Sequence, residues 1–275
     1  MPTGSAEPGT SQLVILSSLQ IDGQAGRLFA TAQVNGEPKI AVTDTRDGRL
    51  LAAWDDPGQL ALDAARERLV VDRGAQGVAL LNATTGEIQG IVPLSSQGEP
   101  LAPQIDSRTG LIYAFRDSTV YIIDPAIRKV IRSIALEIPT TTCDKPAGDA
   151  TIYQAVADST SNRLYLSFIT RTCIPWATAT LIAFDADVKT EIGRTSIDIN
   201  TKFLPYDGRL FGISANRLGP VSSWGWDGAT SRQDESVDLQ GRLAGMVLDR
   251  KRKLIYEAVG EAIRISNPAR QELID

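Results

Sequence analysis

The chain has 275 residues, 43% of them hydrophobic and 22% charged, with a formal net charge of −5 and a pI near 5.0. That length and apolar content suffice for one large core, and the acidic balance argues against a nucleic-acid surface, where a basic stripe is expected. Histidine is absent, which removes His-dependent triads, His metal sites and the usual physiological-pH switch.

Met1 to Thr10 (MPTGSAEPGT) has neither the basic nor the apolar region of a signal peptide and reads as a flexible leader, with a single domain over residues 11–275. No apolar run approaches the ~20 residues needed to cross a bilayer, so no membrane span is expected. Gln12-Leu-Val-Ile-Leu16 is an apolar strand lying before the first repeat. That repeat runs from Ile21-Asp22 through Arg27-Leu28-Phe29 to Ile40-Ala-Val-Thr-Asp44. The second has Leu62-Asp63, Arg68-Leu69-Val70 and Val78-Ala-Leu-Leu-Asn82, and here Ala64 to Leu69 reads as a loop leading into a strand. The third, Asp106-Ser-Arg-Thr-Gly-Leu-Ile-Tyr113 followed by Val120-Tyr-Ile-Ile-Asp124, has the tight polar turn of a β-hairpin before Val130. The fourth has Ala157-Asp158, Arg163-Leu164-Tyr165 and Leu181-Ile-Ala-Phe-Asp185. The fifth leads from Gly208-Arg209-Leu210-Phe211 to Ser223-Trp-Gly-Trp-Asp227, and the sixth from Leu248-Asp249 through Leu254-Ile255-Tyr256 to Ser266.

The polar residue closing each third strand stands at 44, 82, 124, 185, 227 and 266, giving spacings of 38, 42, 61, 42 and 39. The outlier marks an insertion. A period of about 40 residues with short strands points to propeller blades, because a lone four-stranded sheet cannot bury both faces and radial stacking solves that. The expected fold is therefore an all-β propeller of six four-stranded blades. The last repeat stops soon after its third strand, so the N-terminal strand is expected to complete the sixth blade and close the ring. Asp44, Asn82, Asp124, Asp185 and Asp227 recur in the repeat and read as turn chemistry.

These repeats resemble the bacterial YVTN/YncE-like β-propellers, in the wider class of NHL-like and surface-layer propellers. The resemblance covers Leu13 to Asp275 and rests on a grammar of D-x-x-x-G-R-L-Y, then V-Y-I-I-D, then a Gly- or Pro-containing turn. It implies a propeller of the mostly extracytoplasmic binding or scaffolding kind, with some metal-dependent lactonases and cyclotransferases on related rings. The fold carries over; no catalytic motif does.

Departures from the repeat are where function is sought, since propellers carry it in loops at one mouth of the channel. The fourth repeat has two, Ile138 to Asp149 and Ile169 to Thr178, and the fifth adds Asn216 to Pro220. They gather Trp176 and Trp224 with Arg171, Asp144 and Lys145, an aromatic and charged platform for a protein, peptide or glycan partner. Trp226 occupies the position of Phe184 and Ile123 and is assigned to the core, with alternation sending Trp224 to the opposite side. Gln20, Gln59, Gln104 and Gln154 each precede the Asp ending a first strand. They are expected either to face a small polar ligand or simply to solvate a wet channel. Asn82-Ala-Thr84 fits a glycosylation triplet, a pattern common by chance.

The two cysteines, Cys143 and Cys173, lack CxxC spacing, so zinc and thioredoxin-like readings fail. Both sit in insertions of one repeat and are expected to form a disulfide, which implies an oxidising, extracytoplasmic compartment. The preferred function is a monomeric, non-catalytic binding or scaffolding module without cofactor. The alternative is a lactonase-like hydrolase or lyase with a carboxylate-held divalent ion in the channel. Its weakness is that the first strands offer mainly Gln, Ala, Leu and Ile, poor ligands for a hard cation.

Overall fold

A computed structural model of the chain describes residues 13–96, 98–136, 150–170, 178–198, 201–206, 209–214, 221–226, 231–237, 243–249, 254–259, 262–267 and 272–274. The chain divides into two compact units, Met1–Leu136 and Glu137–Asp275. In the first, three antiparallel sheets follow one another. They are β1 (Leu13–Asp22), β2 (Arg27–Val34), β3 (Glu37–Asp44) and β4 (Leu50–Trp54); β5 (Gln59–Asp63), β6 (Arg68–Asp72), β7 (Val78–Asn82) and β8 (Ile88–Val92); and β9 (Gln104–Ile105), β10 (Ile112–Arg116), β11 (Thr119–Asp124) and β12 (Lys129–Ala135). In the second unit the sheets are β13 (Ala150–Asp158), β14 (Arg163–Thr170), β15 (Thr178–Asp185) and β16 (Glu191–Asp198); β17 (Thr201–Tyr206), β18 (Arg209–Ser214), β19 (Val221–Trp226) and β20 (Ser231–Val237); and β21 (Leu243–Asp249), β22 (Leu254–Val259), β23 (Ala262–Asn267) and β24 (Glu272–Ile274). Every sheet keeps its strands in chain order. Ala64 to Arg66 is a single 3₁₀ turn running into β6, in keeping with its reading as a loop.

The expected closure does not hold. Leu13 to Leu16 is not a separate strand: it runs on without a break into Ile21-Asp22 as β1, the first strand of the first sheet, paired along its length with β2. Bulges around Ser17 and the left-handed backbone of Ser18 let this ten-residue strand bend, where the sequence suggested two elements. The sixth sheet is completed by its own β24, because Glu272 to Ile274 suffices to pair with β23.

Middle strands of these sheets are buried on both faces, so they read as unbroken apolar runs and not as alternating ones. In β6 and β7, alternate residues serve different neighbours. Leu69, Val71, Ala79 and Leu81 face the first sheet, packing with Phe29, Ile40 and Val42. Val70, Val78 and Leu80 face the third, packing with Ile112, Ala114, Tyr121 and Ile123. The second unit repeats this: Tyr165, Leu181 and Ala183 of the fourth sheet meet Phe203, Leu210 and Trp226 of the fifth. The Tyr165 and Trp226 rings lie 5.9 Å apart, tilted by 59°. Trp226 is thus in the core, as its place in the repeat indicates.

Turns repeat as faithfully as strands. The Asp44 carboxylate accepts from the Arg46 amide at 2.9 Å, Asn82 from Thr84 at 2.8 Å, Asp124 from Ala126 at 2.9 Å and Asp185 from Lys189 at 2.7 Å. These side chains satisfy backbone amides that the ladder leaves open. Asp227 lies outside the described residues. Gly86 closes one such turn with φ +75°, a conformation that disfavours any Cβ, and a Cβ there would run into the Trp54 ring of the first sheet.

Truncating Trp226 to Ala should destabilise the chain by about 3–5 kcal/mol, the usual cost of removing a buried tryptophan, measured by chemical denaturation. Gly86→Ala should cost more than Gly48→Ala. Both positions have left-handed backbone, but nothing stands within 4 Å of a Cβ at Gly48, so only the backbone strain of about 1–2 kcal/mol applies there. Equal losses would show that the Trp54 contact yields freely.

Candidate functional site

The segments expected to build the site fall largely outside the described residues. Cys143, Asp144 and Lys145 precede β13, and Arg171, Cys173 and Trp176 lie between β14 and β15; none of these six is among the described residues. The frame that carries them is described: Ile169 pairs with Ala179 across the hairpin of the fourth sheet, in unbroken register down to Arg163 and Asp185. Trp224 lies in β19, paired with Gly212 on one side and Gln233 on the other. No register shift separates positions 224 and 226 on the β18 side. Residues two apart in such a strand share a face, so alternation does not divide Trp224 from Trp226 as expected.

The four glutamines stand on first strands, half-buried, on β1, β5, β9 and β13. Two of them fasten neighbouring sheets. Gln20 donates from Nε2 to the Leu60 carbonyl at 3.2 Å, and Gln59 accepts at Oε1 from the Ser18 hydroxyl at 2.5 Å. Gln104 donates to the Ala102 carbonyl at 3.4 Å, and Gln154 pairs in register with Ser167. The exposed side chains beside Gln20 on β1 are the apolar Leu19 and Ile21. Strand alternation turns the amide toward β5 and the aliphatics outward.

The strongest polar centre of the first unit was not singled out by the sequence. Asp72 ends β6 and Arg116 ends β10, and both side chains are fully buried. The guanidinium grips the carboxylate through two bonds of 2.5 Å and donates a third, at 3.0 Å, to the Gly74 carbonyl. Burial pushes the Asp72 carboxyl up from its ordinary range, while Arg116 and the Gly74 amide pull against it. Beside Asp72 in the chain, Arg73 reaches Asp56 at 2.6 Å. Burial raises the Asp56 carboxyl as well, opposed by Arg73, and its second oxygen has no hydrogen-bond partner. The sequence signal was present: two adjacent repeats end equivalent second strands in opposite charges, 44 residues apart.

This arrangement fastens the second sheet to the third; both charges are engaged by protein groups. Among the described residues, no three His, Cys, Asp or Glu side chains gather closely enough to hold a metal ion. Nor is any described helix long and apolar enough to cross a membrane. Arg116→Met should cost about 3–5 kcal/mol, because Asp72 is then left buried and unpaired. Arg116→Met with Asp72→Leu should recover much of that loss; a double variant as weak as the single one would show that the pair also supports Gly74 and its turn.

No protein-family model matches the chain, and no curated protein matches it in sequence. Solved structures match in shape. A chain of the Kuenenia stuttgartiensis hydrazine synthase aligns with a TM-score of 0.67 at 13% identity, over 96% of this chain and 80% of that one. The β-propeller domain of Myceliophteria thermophila Cps50 (Swd1) aligns at 0.64 and 10% identity, over 99% and 88%. A chain of a mitotic checkpoint complex aligns at 0.60 and 11% identity, over 96% and 76%. At these identities the likeness carries the fold alone, and the fold is a β-propeller.

Proposed function

We propose that the chain is a non-catalytic binding or scaffolding module, a single propeller domain of six four-stranded blades over residues 11–275 behind a short leader. The observation that carries this reading is the use made of the polar side chains. Asp72, Arg116, Gln20, Gln59 and the turn carboxylates are engaged in joining strands and sheets. What the repeat does not need is concentrated in its insertions, which carry Trp176, Arg171, Asp144 and Lys145 and, with Trp224 of β19, would make the platform for a protein, peptide or glycan. One structural neighbour is a chain of a mitotic checkpoint complex, which supports assembly as a use of this fold. Another belongs to an enzyme, hydrazine synthase, so the fold is compatible with the alternative of a lactonase-like hydrolase or lyase. A Cys143–Cys173 disulfide would pin the two insertions together and would fit an oxidising, extracytoplasmic compartment.

Calorimetric titration of the chain with calcium and with EDTA separates the two functions. The binding module should show no tight, stabilising metal binding, whereas a large calcium-dependent rise in Tm would transfer the argument to the hydrolase. Glycan and peptide arrays should give ligands whose binding falls in Trp176→Ala with little change in stability. Thiol counting on the denatured, unreduced protein should find none; two free thiols would remove the bridge and with it the argument for export.

A further inference from the structure

The fourth strands of the first four sheets share an irregularity. Each carries one extra residue near its start: Leu51 in β4, Gln89 in β8, Ile131 in β12 and Ile192 in β16. A bulge of this kind twists an edge and re-aims one side chain. Three of these four residues are large aliphatics, and all three are exposed. A bulge and a nearby charge help keep an edge unpaired, but the exposed aliphatic at each of three bulges adds nothing to that protection and leaves apolar surface that contact with a partner would cover.

The feature is most developed at the third sheet. Ile127 is 56% exposed and Ile131 is 51% exposed, on either side of the turn-to-strand junction at Arg128 and Lys129. The Arg128 side chain lies against Gly90 of β8, which sets the turn carrying Ile127 against the strand carrying the exposed Ile88 and Ile91. Gly90 pairs with Leu80, so Arg128 meets β8 on the face turned to the third sheet, while Ile88 and Ile91, opposite Leu81 and Ala79, lie on its other face. Residues 125–136 include Arg128, Lys129 and Arg132 and no Asp or Glu, in a chain whose net charge is −5. Among the described residues β12 has one ladder partner, β11, and its other backbone edge extends for seven residues. Beyond the bulge, the outward positions Ser133 and Ala135 are small and let a neighbouring backbone approach.

We propose that the β12 edge, with Ile127 and Ile131, is a docking surface for an extended acidic and aliphatic segment of a partner protein, added as a further strand. Backbone pairing would supply affinity, the isoleucines would take alternate apolar side chains, and Arg128 and Lys129 would select carboxylates. The proposal rests on reading the chain as a binding module, but on a different surface from the insertions.

The test uses the full chain and a fluorescein-labelled peptide of sequence EVEIEVE, read by anisotropy, with KVKIKVK and the strand-breaking EVPIPVE as controls. Saturable binding of EVEIEVE is expected, weakening as salt rises, with neither control binding. Ile131→Asp and Arg128→Glu should each weaken it roughly tenfold or more, equivalent to about 1.4 kcal/mol, with Tm unchanged, and Trp176→Ala should leave it intact. No saturable binding, equal binding of the basic peptide, or indifference to both rim variants would overturn the proposal. Loss in Trp176→Ala alone would also overturn it, while leaving the binding-module reading standing. Concentration-dependent dimerisation abolished by Ile131→Asp would assign the edge to a second copy of the chain instead.

Discussion

A four-stranded sheet of this composition is apolar on both faces, and everything else in the molecule answers to that constraint. β6 and β7 show it in its simplest form: five-residue strands in which odd and even positions belong to two different cores. Neither core exists until a neighbouring sheet arrives. The hydrophobic gain is therefore made between repeats and not within them, and several polar groups admitted to the interface find partners across it. Gln20, Ser18, Arg27 and Arg116 all bond to an atom of the next sheet or its turn.

Placing Asp72 and Arg116 in such an interface is expensive, because two charges leave water together. Their bidentate geometry and the additional bond to Gly74 offset that cost, and an apolar pair of the same volume would serve stability as well or better. What the charges add is direction. Aliphatic faces tolerate sliding, whereas a guanidinium fork accepts its carboxylate in one orientation. The pair therefore sets how the end of β10 meets the turn after β6, and Arg73 with Asp56 fixes the other side of that same turn.

Much of the architecture was legible in the sequence because the repeat is carried by short-range rules. Apolar runs such as Val78 to Leu81 mark buried strands, and an Asp or Asn whose side chain accepts a nearby turn amide, two residues on at Asp44, Asn82 and Asp124, marks the turns. The N-terminal strand was misread for a long-range reason: whether Leu13 to Leu16 pairs with β2 or with a distant strand depends on a bend at Ser18, which no local pattern announces. The Asp72–Arg116 pair escaped notice for a related reason. Each residue alone looks like an ordinary strand-ending charge, and only the stacking of two repeats brings them together. Positions 224 and 226 are two apart in an unbroken register and lie on one side of the strand, so alternation does not separate them.

The unbroken chain order of every sheet has a further meaning for how the molecule forms. Among the described residues each strand pairs only with strands next to it in sequence, and the connections that are described are mostly tight turns. Each ladder can therefore close over a short loop, with little entropy lost per pairing, and a nascent repeat can zip up soon after it leaves the ribosome. Joining one sheet to the next then depends on side chains and not on backbone bonds. A chain organised in this way can gain or lose a repeat without rethreading any sheet, which makes duplication of one blade-length segment the simplest account of how six similar units came to lie in one polypeptide.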